Sequence, residues 1–188
     1  MLDRRDFLKI CLAATAAPSL ILPDEANAFV SDEGLKPWLY MREMPLFIKR
    51  GKDAFKIDLR RKGHFDTFRY ATRDIKANVI GYPDPHLGGL ISWMQSTIAA
   101  RTGKFHPFVI TSGLRTQSTN SKIEGAARNS MHLPDENGFF RAVDIHSPGI
   151  PPKEIAALAK LAQEGGVGIY SNRGFIHVDT GRVRTWGK

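Results

Sequence analysis

Hydrophobic and polar residues alternate along two stretches in the first half of the chain. Phe55, Ile57 and Leu59 alternate with polar or charged residues over residues 54–60, and the segment His64–Tyr70 repeats the alternation. Because successive side chains of a β-strand point to opposite faces of its sheet, a period of two predicts antiparallel strands with one solvated face. We therefore expect residues 29–81 to contribute strands.

A helical period marks two later segments. Apolar residues recur at helical spacing from Leu87 to Thr102, where Gly103 ends the pattern. The segment 152–163 begins with proline and stops before Gly165 and Gly166, as helices commonly do. Residues 114–131 are small and polar, which predicts a long loop with one helical turn.

Four short apolar segments predict further strands, at 107–112, 140–145, 167–170 and 175–179. Predicted helices and strands are mixed along the chain and follow no regular alternation. This arrangement predicts a single α+β domain in which a few helices flank one antiparallel sheet.

The first 28 residues have the composition of an export signal. Paired arginines at positions 4 and 5 precede a 13-residue uncharged apolar stretch, Ile10–Leu22, and then the small-x-small site Ala26-Asn27-Ala28. A membrane-spanning helix needs about 20 apolar residues, so this stretch has the length of a signal-peptide core. The paired arginines resemble a twin-arginine signal, which implies export by the twin-arginine translocation machinery to the periplasm. Asp3 stands where that motif prefers Ser or Thr.

Charge and cysteine content narrow the possible partners. Cleavage after Ala28 removes the only cysteine, Cys11, and leaves 24 basic against 15 acidic side chains in residues 29–188. An exported protein rarely meets nucleic acid, so the anionic cell wall or lipid headgroups are the natural partners of this charge. The alternative is that the charge only maintains solubility. We expect no stable membrane anchor after cleavage and a monomer.

Histidine and aspartate residues in the second half of the chain have the spacing of metal ligands. His132 follows a polar loop, Asp144 and His146 lie two apart in one predicted strand, and His177 and Asp179 lie two apart in another. Residues two apart in a strand share a face. Two histidines and one carboxylate satisfy the needs of a catalytic zinc ion, although an isolated histidine is more often a hydrogen-bonded or surface residue.

The segment Thr111–Trp186 resembles the murein endopeptidase K group of the M15-type zinc metallopeptidases, within the superfamily of D-Ala-D-Ala peptidases and Hedgehog domains. The matching motifs are Ser-Gly-Leu-Arg at 112–115, Ser-Met-His at 130–132, Ala-Val-Asp-Ile-His at 142–146, Gly-Gly-Val-Gly-Ile-Tyr at 165–170, Phe-Ile-His-Val-Asp-Thr-Gly at 175–181 and Arg-Thr-Trp at 184–186. The resemblance implies a small α+β fold and a metallopeptidase domain over residues 29–188, in which residues 83–188 form the part that is similar to the family.

The resemblance also implies the residues of the site. His132, Asp144 and His177 would bind Zn²⁺, and Arg115 would face the substrate or form a structural salt bridge. Asp144 follows His132 by twelve positions, against seven in the family's His-x-x-Gly-x-Ala-x-Asp pattern. The additional residues have the composition of a turn, and they include Asp135, a weaker rival ligand.

The general base is not where related enzymes place it, because Gly174 and Phe175 precede the last ligand. Asp179 and His146 are the candidates, and each has the alternative role of orienting a ligand by a hydrogen bond. Ser130 is expected to support the cleft or end a turn. Trp38, Trp93 and Trp186 are expected to pack in the core or on the sheet rather than bind sugar.

The function implied by the resemblance is zinc-dependent hydrolysis of peptide cross-links in peptidoglycan. The alternatives are a carboxypeptidase that removes terminal D-Ala from stem peptides and a basic cell-wall-binding module without hydrolytic activity. The residues do not distinguish D,D from L,D bonds.

Overall fold

The computed structural model describes residues 45–61 and 63–187. The predicted export signal and Trp38 lie outside the described residues. The strands are β1 (Leu46–Arg50), β2 (Asp53–Ile57), β3 (Tyr82–Pro83), β4 (Phe108–Ser112), β5 (Phe139–Phe140), β6 (Ala142–His146), β7 (Gly166–Tyr170), β8 (Phe175–Asp179) and β9 (Arg184–Gly187). The α-helices are α1 (His64–Ala71), α2 (Pro85–Thr102), α3 (Gln117–Ser121) and α4 (Pro152–Ala162), and a 3₁₀ turn spans Ser171–Arg173.

Seven strands form one mixed sheet in the order β2-β1-β4-β6-β8-β7-β9. The central pairs β4-β6, β6-β8 and β8-β7 are antiparallel, as is the β1-β2 hairpin, whereas β1-β4 and β7-β9 are parallel. The short strands β3 and β5 pair separately. The predicted α+β class is thus confirmed, and the two parallel pairs make the sheet mixed rather than wholly antiparallel.

Helices α1, α2 and α4 cover one face of this sheet. Helix α4 packs on β7, β8 and α2, and α1 packs on β1 and β2. Val143, Ile145, Ile176 and Val178 of the two central strands belong to the same buried apolar cluster as the helices. Because strand side chains alternate, Asp144, His146, His177 and Asp179 project from the opposite face.

One predicted strand is wrong. Residues 64–71 form helix α1 instead of a strand. Phe68 and Ala71, three residues apart, are both fully buried, and Phe65 packs against the same apolar cluster. Residues at i, i+3 spacing lie on one face of a helix, so a helix can bury all of these side chains against the core. The burial that the helix gives determines the structure of this segment, although its sequence also alternates locally.

The other predicted elements are confirmed with small shifts of their ends. Helix α2 begins after Asp84, whose carboxylate accepts a hydrogen bond from the His86 amide, and it ends at Gly103 in the left-handed conformation. Trp93 is buried in this helix. Within the described residues, no helix is both long and apolar enough to cross a membrane.

Candidate metal centre

Three predicted ligands meet on the face of the sheet opposite the helices. His132 Nε2 lies 3.1 Å from Asp144 Oδ1 and 3.2 Å from His177 Nδ1, and Asp144 Oδ1 lies 3.0 Å from His177 Nδ1. Asp144 and His177 face each other across the antiparallel pair β6-β8. His132 reaches them from the loop before β5, and all three residues are buried.

The hydrogen bonds around the three residues determine which atoms face one another. His132 Nδ1 lies 2.6 Å from the Gly113 carbonyl oxygen, which can only accept, so this nitrogen carries the proton and Nε2 keeps its lone pair. His177 Nε2 lies 2.9 Å from Asp179 Oδ2, so the neutral His177 ring carries its proton on Nε2 and has a lone pair on Nδ1. Two imidazole lone pairs and one carboxylate oxygen therefore converge.

Three acceptor atoms about 3 Å apart repel one another, and a cation bound between them would remove this repulsion. A ligand set of two nitrogens and one oxygen is the one that catalytic zinc sites use while a position stays open for water. Each histidine also donates its other ring N–H to an oxygen acceptor, as metal-binding histidines almost always do. The residues present thus fit Zn²⁺. Within the described part of the chain, this is the cluster of His, Asp and Glu side chains that could hold a metal ion.

Arg115 contacts a ligand directly. Its Nη2 donates to Asp144 Oδ2 at 2.6 Å, and its Nε donates to Ser112 Oγ at 2.8 Å. The Arg115 amide donates to the His132 carbonyl. Arg115 thus engages the second oxygen of Asp144 and directs Oδ1 toward the histidines, which corresponds to the salt-bridge alternative.

Asp179 is completely buried and fully hydrogen-bonded. Besides His177, its carboxylate accepts from Arg184 Nη2 at 2.7 Å, from Arg184 Nη1 at 3.1 Å, from the Gly166 amide at 3.0 Å and from the Gly181 amide at 2.9 Å. A carboxylate enclosed in this way orients His177, and it has no side open to a water molecule. The geometry favours the orienting role over that of a base.

Burial and charge pairing shift the pKa values of the carboxylates in this site in opposite directions. Burial would raise the pKa of Asp144, but the neighbouring His132 and His177 more than offset it and hold that pKa far below its usual range. Burial also opposes ionisation of Asp179, whose pKa is nevertheless strongly lowered by His177 and Arg184. Both carboxylates are therefore ionised at neutral pH. Burial lowers the pKa of His132, which favours its neutral, ligating form.

The remaining predicted residues lie around the cluster. His146 is half-buried at the end of β6, on the face that carries Asp144, and among the described residues it makes no hydrogen bond or ion pair. Ser130 Oγ accepts from the His132 amide at 3.3 Å. The Asp135 carboxylate is bound instead by Arg141 and by the amides of Asn137 and Phe139, so it does not belong to the ligand cluster.

An aromatic group lies next to His177. The Trp186 ring is 5.1 Å from the His177 ring, and Trp186 Nε1 donates to the Tyr170 hydroxyl at 3.0 Å. Tyr170 stacks on Phe175 at 4.8 Å. Trp186 can approach this closely because it lies over Gly168, where any β-carbon would overlap the indole ring. Trp186 therefore packs on the sheet, as expected, on the face that carries the site.

Two functional contacts were missed by the sequence reasoning, namely the Gly113 carbonyl on His132 and Arg184 on Asp179. Gly113 has a local signal, because it lies in the Ser-Gly-Leu-Arg motif. Position 113 requires glycine for a steric reason, since a β-carbon there would overlap the Thr72 carbonyl oxygen. Arg184 also lies in a matching motif, Arg-Thr-Trp at 184–186, but that motif does not reveal its partner, because the contact with Asp179 depends on the pairing of β9 with β7.

Comparisons with known proteins agree with this site. The model of the peptidase M15 family matches residues 66–179, which is more than half of the chain and includes all three candidate ligands. No solved structure matches the chain significantly.

Two curated relatives are similar to more than half of the chain. The probable peptidoglycan L,D-endopeptidase MepK of Haemophilus influenzae is 33% identical over 121 residues, which cover 62% of this chain and 61% of that protein. The peptidoglycan L,D-endopeptidase MepK of Escherichia coli K12 is 31% identical over 140 residues, which cover 72% of this chain and 69% of that protein. The matched segment thus spans less than two thirds of the Haemophilus relative. The chain belongs to the M15 family of peptidases.

Proposed function

We propose that this protein is a zinc-dependent endopeptidase that hydrolyses peptide cross-links of peptidoglycan. The observation that carries the proposal is the convergence of His132, Asp144 and His177, with three lone-pair atoms 3.0–3.2 Å apart, inside a peptidase M15 domain. The two relatives are named peptidoglycan L,D-endopeptidases, which favours the L,D bond as the one cleaved.

The residues of this chain prepare the metal site for hydrolysis. When bound, zinc lowers the pKa of a coordinated water molecule to about 7 and polarises the scissile carbonyl. The Gly113 carbonyl and the Asp179 carboxylate hold the two ligand imidazoles in the tautomers that present lone pairs. Arg115 fixes the Asp144 carboxylate. Nη2 of its guanidinium donates to Asp144 and Nε donates to Ser112, and its positive charge beside Asp144 would also favour negative charge that develops on a carbonyl bound at the metal.

His146 is the base candidate that the geometry leaves open. Asp179 is enclosed by hydrogen-bond donors, whereas the His146 imidazole is half-buried and has no hydrogen-bond partner among the described residues. It lies two residues from Asp144 in β6, on the same face of the sheet. Imidazole is the side chain that most often takes a proton in enzymatic catalysis. We assign the acceptance of the water proton to His146.

Export to the periplasm belongs to the same proposal. It is supported by the paired arginines, the apolar stretch and the Ala-Asn-Ala site in residues 1–28. A periplasmic location would bring the enzyme to peptidoglycan, and the excess of basic side chains in residues 29–188 would attract it to the anionic wall.

Digestion of purified cross-linked peptidoglycan tests the proposal. We expect the zinc-loaded protein to convert dimeric fragments into monomers, and we expect His132→Ala, Asp144→Ala and His177→Ala to lose both zinc and activity. Release of terminal D-Ala alone would identify a carboxypeptidase. Binding of peptidoglycan without any product would identify a binding module, and either result would refute the proposal.

A further inference from the structure

A groove of about 820 Å³ is lined by residues that lie close in the chain to the residues of the metal centre. Its lining comes from three chain segments, namely Gln117, several residues between 128 and 141 that do not include His132, and Gly181. Each segment also carries a residue of the site, because Arg115 precedes Gln117 by two residues, His132 lies within the second segment, and Asp179 precedes Gly181 by two residues. Two lining residues also contact the site, because Ser130 Oγ accepts from the His132 amide at 3.3 Å and the Gly181 amide donates to Asp179 Oδ1 at 2.9 Å. A molecule bound in the groove therefore touches residues that hold His132 and Asp179 in place. The volume is in the range of pockets that accept ligands.

One wall of the groove is the loop that separates His132 from Asp144. Pro134, Asp135 and Phe139 of this loop contribute to the lining. The loop is closed by its own hydrogen bonds, because the Asp135 amide donates to the Phe139 carbonyl and Asp135 Oδ1 accepts from the Phe139 amide at 3.0 Å. The Gly138 amide also donates to the Asp135 carbonyl. The additional residues between the two ligands thus form a defined wall.

The loop is also tied to the domain. Asp135 Oδ2 accepts from Arg141 Nε at 3.0 Å and from Nη2 at 2.9 Å, while Arg141 Nη1 donates to Asp84 Oδ2 at 2.7 Å. Asp84 caps helix α2 and also accepts from the Thr180 hydroxyl at 2.9 Å. A wall that is fixed to the helix layer can hold a ligand in one position without being reordered on binding.

The charges on the lining residues indicate the chemistry of the ligand. Arg141 is engaged by two carboxylates. Arg128 also lines the groove, is exposed, and has no hydrogen bond or ion pair within residues 45–61 and 63–187. Its guanidinium is therefore available to bind a carboxylate through two parallel hydrogen bonds. Gln117, Asn129 and Ser130 add side chains that can pair with peptide groups.

We propose that this groove is a subsite for an extended peptide strand that carries a free carboxylate, which Arg128 binds. The proposal deepens the proposed function and rests on it, since the strand would be one stem peptide of the cross-linked substrate. The loop between His132 and Asp144 is then a specificity element, which positions that strand so that the scissile bond reaches the metal centre.

Matched pairs of variants test the subsite. Arg128→Gln removes the free guanidinium, and Lys122→Gln removes an exposed charge from the same part of the chain outside the groove. Asn129→Trp fills the groove from an exposed position, and Lys122→Trp adds the same bulk outside it. The probe is a cross-linked stem-peptide dimer whose scissile amide is replaced by an uncleavable methylene-amine bond, and a second probe has its free carboxylates amidated.

We expect Arg128→Gln and Asn129→Trp to raise the Kd for the first probe about tenfold, because each loses a charge-assisted contact or the space for the strand. Both Lys122 variants should bind like the wild type. The amidated probe should bind the wild type and Arg128→Gln equally. With the cleavable dimer, KM should rise in Arg128→Gln while kcat stays unchanged.

An unchanged Kd for the first probe in both Arg128→Gln and Asn129→Trp, with unchanged thermal stability, would overturn the subsite. Amidation of the probe should raise the Kd for the wild type but not for Arg128→Gln. If it raised the Kd of both proteins by the same factor, Arg128 would have no role in carboxylate binding. Because the Kd is measured without cleavage, loss of the proposed activity in the wild type and loss of the subsite give different results.

Discussion

The carboxylate of Asp179 determines which nitrogen of His177 carries the proton and which one can bind a metal ion. The substitution Asp179→Asn removes this carboxylate and leaves the size of the side chain almost unchanged. The amide must satisfy His177 Nε2, Arg184 and the amides of Gly166 and Gly181, which now surround a carboxylate. An amide offers one acceptor oxygen and an NH₂ group. If the NH₂ group faces His177, the imidazole proton moves to Nδ1 and blocks the lone pair that would bind zinc.

Changes to groups that orient metal ligands cost 10–100-fold in metal affinity, which corresponds to about 1.4–2.8 kcal/mol. We expect Asp179→Asn to weaken zinc binding by this factor in a competition titration with a chromogenic chelator. The metal-free variant should also lose about 1–3 kcal/mol in its free energy of unfolding, because buried donors lose an acceptor. Asp53→Asn is the matched control, since Asp53 is exposed at the start of β2. A zinc affinity of Asp179→Asn equal to that of the control would refute the reasoning.

Three further predictions concern other residues near the site. His146→Gln should retain zinc but lower kcat by 10²–10⁴-fold, as expected for loss of a general base; unchanged initial rates would place the base elsewhere. Gly113→Ala should lower both the midpoint of thermal unfolding and zinc affinity, because its β-carbon overlaps the Thr72 carbonyl and displaces the acceptor of His132; a wild-type melting curve and zinc affinity would contradict this. Asp74 is buried, which would raise its pKa, but hydrogen bonds from Thr116 and its neighbours lower it, so its contribution to stability is present above about pH 4 and is lost as the pH falls. Asp74→Asn should therefore destabilise the protein at pH 6, and the difference from the wild type in urea unfolding should shrink toward pH 3; a constant difference would contradict this account.

The sequence patterns predicted most of the fold because the apolar residues of most elements recur with a single spacing, either that of a helix or that of a strand. Helix α2 shows a helical period, a proline at its start and a glycine at its end, and these signals are local. Helix α1 was predicted as a strand because a period of two was assigned to His64–Tyr70, with Phe65 on one face and Phe68 and Tyr70 on the other. The tertiary contacts decided this segment, since only a helix buries Phe68 and Ala71 together against β1 and β2.

The site was predictable to the extent that its residues lie in motifs. His132, Asp144 and His177 were named from the resemblance, and the structure brings them together. The roles of Asp179 and Arg115 stayed open because they depend on distances across strands, such as that between Arg115 and Asp144 at 2.6 Å. The groove was not foreseen, since its walls come from segments that are distant in sequence and meet only in the folded domain.

The measurement that tests the central claim most directly is the zinc content of the purified protein by native mass spectrometry, combined with digestion of cross-linked peptidoglycan before and after chelation. The account predicts one zinc ion per chain in the wild type, none in His132→Ala, and conversion of dimeric fragments to monomers that stops on chelation and returns with added zinc. A folded wild-type protein that binds no zinc when it is supplied, or that opens cross-links equally well with and without the metal, would contradict it.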